Sequence, residues 1–176
     1  MIRASILVLA TLGLSAGTFG AVPLHGLQAR PDRTAERSAS WVFATGLQGL
    51  RVHDRSRAEL RVEYRPPGVG PQEVLVPVLG LTATWAGSIL AYGGVALDLP
   101  LGARWRAGPS FAAGVYGKGT GRDLNHPFQF RTGVALAYRL GARGRLGLSA
   151  THLSNGGLSD PNPGVESLTL FYALHR

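Results

Sequence analysis

A strict alternation of apolar and charged residues over residues 58–65 constrains the fold more than any other feature of this sequence. On an extended strand, four apolar residues share one face and four charged residues the other: Ala58, Leu60, Val62 and Tyr64 against Glu59, Arg61, Glu63 and Arg65. A soluble sandwich would turn the apolar face toward a core, whereas a membrane barrel would turn it toward lipid and fill its lumen with the charges. This strand alone allows both folds.

Comparable segments recur along the chain and predict an antiparallel meander. They give eight strand candidates: residues 41–52, 58–65, 73–84, 89–98, 104–116, 128–140, 145–154 and 166–174. Eight strands of about 10 residues form the smallest common closed transmembrane barrel. The predicted fold is therefore all-β, an eight-stranded antiparallel transmembrane β-barrel.

The connections between these strands indicate which end of the barrel faces outward. With periplasmic termini, residues 117–127 and 155–165 form external loops, and they are the longest connections, while residues 141–144 form a tight inner turn. The glycine-rich start of the first loop lacks the GxxxxGK[ST] spacing of a phosphate loop and is followed by no helix pattern. We predict a flexible outer loop there.

The N-terminal residues are typical of a secretory signal peptide. Arg3 precedes an apolar run at residues 4–14 and mostly small residues at 15–21. A short buried helix is the alternative, but such a helix would normally show a polar face and a cap. We predict a signal peptide over residues 1–21, a periplasmic lead-in over residues 22–40 and the barrel over residues 41–176.

The net charge of +8 is carried almost wholly by arginine, since Lys118 is the single lysine. Such a charge suits nucleic acid, an anionic membrane surface or a phosphorylated ligand. The arginines are scattered, and zinc spacing, a helix-turn-helix period and an aromatic RNA-binding signature are missing, so no nucleic acid is expected as a partner. With no cysteine, the chain has no disulfide framework.

A polar group of residues interrupts the apolar faces of the last two predicted strands. His152 and Ser154 share one face, about 7 Å apart along the backbone, and Glu166 opens the next strand. A serine, a histidine base and an orienting carboxylate are the parts of a hydrolytic triad. An ordinary polar rim is the alternative, because charges near the interface cost only about 0 to 1 kcal/mol and the G-x-S-x-G elbow is missing.

The run H-L-S-N-G-G-L-S-D-P-N-P-G-V-E over residues 152–166 resembles the C-terminal signature of the lipid A 3-O-deacylase family of Gram-negative outer membranes, the PagL-type enzymes. Eight positions match at fixed offsets: His152, Ser154, Asn155, Gly157, Pro161, Asn162, Gly164 and Glu166. The similarity extends over the chain from about residue 104. The departures are Gly156, Pro163 and a C-terminus that ends in Leu-His-Arg instead of an aromatic residue.

This resemblance implies an outer-membrane serine esterase that removes the ester-linked acyl chain at position 3 of lipid A, with its site at the external rim. Ser154 matches the nucleophile, His152 the general base and acid, and Glu166 the group that orients the histidine. Asn162 and the backbone N–H of Gly157 fall on oxyanion-hole positions. The resemblance also implies a supporting role for Asn155.

Neither a metal nor an organic cofactor is expected for this chemistry. The expected partners are the lipid A of lipopolysaccharide and the membrane, with a homodimer as a further option. Two other functions are kept as alternatives, a non-catalytic structural or adhesive barrel and a lipid A acyltransferase. The first leaves the mass of lipid A unchanged and the second increases it.

Overall fold

The structure is a computed structural model that describes residues 38–50 and 55–176. This part of the chain contains β1 (Ser40–Gln48), β2 (Arg57–Arg65), β3 (Leu75–Thr84), β4 (Ile89–Leu97), β5 (Leu99–Leu101), β6 (Trp105–Gly117), β7 (Phe128–Leu140), β8 (Gly144–Ser154) and β9 (Val165–His175). All strand pairs are antiparallel, β1 pairs with β9, and β4 pairs with β6, which closes the sheet. Eight long strands form the barrel, as predicted, and β5 is a short addition beside the first residues of β6.

Some strand boundaries differ from the prediction. β3 begins at Leu75 because Pro71–Glu73 form a 3-10 turn, in which Gln72 and Glu73 have positive φ angles of 60° and 55°. β1 ends at Gln48, and Gly49 has a φ of 83°, which takes the chain out of the strand. Residues 51–54, which were predicted to end and follow the first strand, lie outside the described residues.

The two faces of β2 show which side of the sheet is buried. Glu59, Arg61 and Glu63 are at most 2% exposed and point into the barrel, whereas Leu60 is 61% exposed on the outside. The other strands likewise turn large apolar side chains outward, such as Leu79 at 59% exposed. The sheet therefore has the lipid-facing apolar surface and charged lumen of a membrane barrel, and the sandwich alternative is wrong.

Aromatic side chains mark the rim at which β1 begins and β9 ends. The rings of Trp41 and Tyr64 lie 5.1 Å apart, and those of Trp105 and Tyr138 lie 4.9 Å apart. Aromatic girdles at the level of the lipid headgroups are a general feature of such barrels. This rim also carries the short turn between β7 and β8, and the opposite rim carries the longer loops over residues 118–127 and 155–164.

The predicted signal peptide lies outside the described residues, as does the predicted lead-in up to residue 37. Over residues 38–50 and 55–176, no helix has the length and apolar character needed to cross a membrane.

Candidate active site

The pairing of β8 with β9 places His152 directly opposite Glu166. His152 Nδ1 lies 3.2 Å from Glu166 Oε1, and the two side chains are 42% and 30% exposed on the outer surface of the barrel. A one-residue shift of either strand would turn its side chain into the lumen, so the antiparallel register fixes this contact.

The contact with Glu166 determines which histidine nitrogen can act as a base. An ionised carboxylate only accepts hydrogen bonds, so Nδ1 carries the proton in this pair. The lone pair of the neutral ring then lies on Nε2, which is the arrangement of a general base in hydrolytic triads.

Ser154 occupies the next outward position on β8, and its cross-strand neighbour on β7 is Phe130. Among the described residues, no hydrogen bond joins Ser154 to His152. Catalytic hydrogen bonds are often long in a ligand-free enzyme and shorten when substrate binds. The structure therefore brings the three predicted triad residues to one patch of the outer surface, and His152 and Glu166 are in direct contact there.

Asn155 follows the serine, and its side chain is fully buried. Its Nδ2 donates to the carbonyl oxygen of Leu124 at 3.1 Å and to Ser159 Oγ at 3.0 Å. Its Oδ1 accepts from the Gly157 N–H at 2.8 Å. These bonds fix the first turn of the loop over residues 155–164, and with it the end of the strand that carries Ser154.

The predicted oxyanion donors differ in their surroundings. Asn162 Oδ1 accepts from the backbone N–H of Asn155 at 3.1 Å, which leaves its Nδ2 as the donor for a substrate. The Gly157 N–H already donates to Asn155 Oδ1. It can serve an oxyanion only if that bond lengthens or becomes shared, so the role predicted for Gly157 stays a prediction.

Gly164 is a site residue whose role the sequence did not reveal. A Cβ atom at this position would lie 2.6 Å from Cε1 and 3.1 Å from Nε2 of His152. The absence of a side chain at residue 164 therefore makes the space in which the imidazole sits. Its match to the family signature was the signal in the sequence, but the contact depends on the fold of the loop.

The loop over residues 118–127 packs against the loop that follows β8. Ser159 Oγ donates to the carbonyl oxygen of Asn125 at 2.9 Å, and Asn125 Nδ2 donates to that of Pro161 at 3.0 Å. Within the loop, Lys118 and then the Asn125 N–H hydrogen-bond to Asp123 and lower the pKa of its carboxyl. The glycine-rich segment thus begins a loop that contains no helix, and hydrogen bonds tie this loop to the one after β8. Its external position stays a prediction.

Two other results bear on the chemistry of the site. In the described part of the chain, no three side chains of the histidine, aspartate or glutamate type are arranged to hold a metal ion. Two cavities in the barrel are lined by lumen residues and not by His152, Ser154 or Glu166. The candidate site is an open patch on the outer wall.

Comparison with known proteins connects this patch to one family. A family model described as lipid A 3-O-deacylase (PagL) matches residues 58–175. The lipid A deacylase PagL of Bordetella bronchiseptica is 32% identical over 108 residues, which are 56% of this chain and 60% of that protein. The chain thus aligns with three fifths of the length of this relative.

Two solved structures share the fold. The crystal structure of the outer membrane enzyme PagL superposes with a TM-score of 0.54 at 21% identity and covers 77% of this chain and 98% of that one. A de novo designed transmembrane β-barrel gives a TM-score of 0.58 at 8% identity and covers 80% of this chain and 96% of the design. Because the family model matches about two thirds of the chain, from β2 to the end of β9, this protein belongs to the lipid A 3-O-deacylase (PagL) family.

Proposed function

We propose that this protein is an outer-membrane serine esterase that removes the ester-linked 3-hydroxyacyl chain of lipid A. The observation that carries the proposal is the His152–Glu166 pair, formed across β8 and β9 on the lipid-facing surface, with Ser154 at the next outward position. A soluble hydrolase would enclose such a group in a pocket. Here the group is open to the bilayer, which suits a substrate that is itself a membrane lipid.

The position of the patch along the barrel fits this substrate. Ser154 ends β8 and Glu166 is the second residue of β9, so the site lies at the rim that carries the longer loops. Below it on the same face, Leu148 and Leu168 are 53% and 48% exposed and would contact acyl chains. If that rim faces outward, the polar site lies at the level of the lipid A sugars and the apolar surface at the level of their chains.

The geometry supports a two-step mechanism through an acyl-serine. Ser154 Oγ attacks the ester carbonyl carbon while His152 Nε2 takes the serine proton, and Glu166 stabilises the imidazolium that forms. The Asn162 amide donates to the oxyanion of the tetrahedral intermediate. The carbonyl–oxygen bond then breaks, and the sugar oxygen leaves with the proton from His152.

A water molecule completes the cycle. It attacks the acyl-serine while His152 again takes a proton, which then returns to Ser154 Oγ as the fatty acid is released. Proton transfer by a positioned base contributes about 10²- to 10⁴-fold to such reactions. One oxyanion donor contributes about 10²- to 10³-fold.

Mass spectrometry of lipid A from Gram-negative cells that express the protein tests the proposal. We expect the loss of one hydroxyacyl chain, and we expect Ser154→Ala to restore the unmodified mass while the folded barrel persists. Ser110→Ala, on β6 with its side chain in the lumen and not on the outer wall, is the matched control and should keep the activity. Unchanged lipid A with the wild-type protein would favour a structural or adhesive barrel, and a gain in mass an acyltransferase.

A further inference from the structure

The barrel lumen holds more positive than negative charge around a small cavity. A cavity of about 40 Å³ lies inside the barrel. Its charged lining consists of four arginines and two carboxylates: Arg61, Arg65, Arg106, Arg131, Glu63 and Asp98. The cavity is therefore surrounded by an excess of two positive charges.

Each carboxylate is shared among several guanidinium groups. Glu63 Oε1 lies 3.3 Å from Arg61 Nε and 3.7 Å from Arg131 Nη1. Glu63 Oε2 lies 2.6 Å from Arg65 Nη2. Three guanidinium groups thus lie within ion-pair distance of one carboxylate, in an interior where an uncompensated charge is costly.

The second carboxylate shows the same imbalance. Asp98 Oδ2 lies 3.1 Å from Arg106 Nη2 and 2.7 Å from Arg145 Nη1. The two positive charges of Arg106 and Arg145 already exceed the single negative charge of Asp98. Asp98 therefore leaves the positive excess around Glu63 uncompensated.

Three arginine nitrogens in this lining have no hydrogen-bond acceptor among the described residues. One of them, Arg61 Nε, lies at ion-pair distance from Glu63, which leaves two donors without any anionic or polar partner. The Arg61 side chain is 1% exposed and its Nη2 donates to Ser149 Oγ at 2.9 Å, but its Nη1 is buried without a partner. Arg106 Nε is likewise buried without one. A buried donor on a charged group that makes no hydrogen bond is strongly destabilising, so a species other than the protein is needed there.

We propose that the cavity binds a small monovalent inorganic anion of the halide class, held by Arg61 and Arg106. A water molecule needs about 10 to 15 Å³ of such space, so the cavity accommodates a monatomic ion with a water molecule and excludes a lipid headgroup. Water alone would satisfy the two donors but would leave the excess charge. Asp98 is 24% and Arg106 17% exposed, which gives a small ion access from the rim at which β1 begins and β9 ends.

The proposal concerns the lumen and is independent of the esterase site on the outer wall. Its test compares the full-length protein, refolded in zwitterionic micelles, in sodium chloride and in sodium gluconate at the same ionic strength. A ligand that binds only the folded state raises the unfolding temperature in a saturable way. We expect the unfolding temperature in chloride to be about 3 °C higher than in gluconate. A shift of this size is what a weakly bound ligand gives in a domain of this length.

Variants and a second measurement assign the effect to the cavity. Arg61→Met and Arg106→Met should each lose the chloride response, whereas Arg143→Met, at an exposed turn, should keep it. Excess line broadening of the ³⁵Cl resonance should appear with the wild type and vanish with either lumen variant. Coincident chloride and gluconate curves in the wild type, without such broadening, would overturn the proposal, as would a full chloride response in both lumen variants.

Discussion

Gly164 lies against the imidazole of His152, at a distance that leaves no room for a side chain. A Cβ atom on residue 164 would come within 2.6 Å of His152 Cε1, closer than real Cβ atoms approach other atoms. The ring cannot move away freely, because its Nδ1 is held 3.2 Å from Glu166. A larger residue at this position must therefore break the pair or displace the imidazole ring.

We predict that Gly164→Ala lowers the kcat of deacylation about 100-fold, because a displacement of about 1 Å at a catalytic group has effects of this size. The barrel should stay folded, since the loop lies outside the strands. Release of hydroxy fatty acid from lipopolysaccharide in micelles measures the rate. Gly117→Ala is the matched control, because a Cβ at Gly117 meets nothing within 4 Å. Full activity of Gly164→Ala would contradict the assigned role.

Glu166 is expected to act through its charge as well as its position. Glu166→Gln keeps an oxygen that can accept from His152 Nδ1, but it lacks the negative charge and can also donate, which favours the wrong tautomer. We predict a fall in kcat of up to about 10⁴-fold, the size of the effect of the equivalent change in the serine protease triad. The same assay of fatty acid release measures it. Glu73→Gln, in the turn before β3, should retain the wild-type rate, and equal rates for Glu166→Gln and the wild type would remove Glu166 from the mechanism.

Asn155 and Asn162 should separate a structural role from a catalytic one. Asn155→Ala removes a fully buried side chain that bonds to Leu124, Ser159 and Gly157. We predict a loss of about 1 to 3 kcal/mol in the free energy of unfolding, because buried groups lose their partners, together with a loss of activity.

Asn162→Ala provides the contrast. Its side chain is exposed and makes one bond, to the Asn155 N–H, so the free energy of unfolding should change by less than about 1 kcal/mol. The kcat should nevertheless fall about 10²- to 10³-fold, as expected when an oxyanion donor is removed. Urea unfolding measures the free energy of unfolding of both variants, and fatty acid release measures their kcat. Together they distinguish the structural role of Asn155 from the catalytic role of Asn162. The assignment fails if Asn162→Ala keeps the wild-type kcat or if Asn155→Ala unfolds like the wild type.

The strands were predictable because a barrel in lipid imposes a period of two on both of its faces. That same period placed His152 and Ser154 on one face, and a single long loop returned Glu166 to the strand beside them. The positive φ angles of Gln72 and Glu73 were not predictable, since neither residue type signals that conformation. For the same reason the 3-10 turn and the later start of β3 were missed.

The side-chain contacts that hold the site also could not be predicted from the sequence. The hydrogen bond from Asn155 to Leu124 joins residues 31 positions apart in two different loops. It forms only because both loops fold over the same rim. The closeness of Gly164 to His152 depends on the orientation of a ring. Side-chain periodicity indicates the face on which a residue lies, but it carries no information on such loop contacts.

Asp98, in the turn between β4 and β5, should make stability depend on pH. Burial alone would raise the pKa of its carboxyl, but Arg145 and then Arg106 outweigh this effect and bring the pKa below its usual value. A carboxyl with a depressed pKa in the folded state stabilises the fold above its unfolded pKa of about 4, and this contribution is lost as the pH falls through the folded value.

We therefore predict that Asp98→Asn lowers the free energy of unfolding at pH 7 by about 2 kcal/mol. This is less than the 3 to 5 kcal/mol typical of a broken, fully buried pair, because the Asp98 side chain is 24% exposed. Urea unfolding at pH 7 and at about pH 3 measures the difference from the wild type, which should shrink at the lower pH as the wild-type carboxyl becomes protonated. Asp160→Asn, in the exposed loop after β8, controls for the loss of one negative charge. A difference of the same size at both pH values would mean that Asp98 stabilises the barrel by packing and not by its charge.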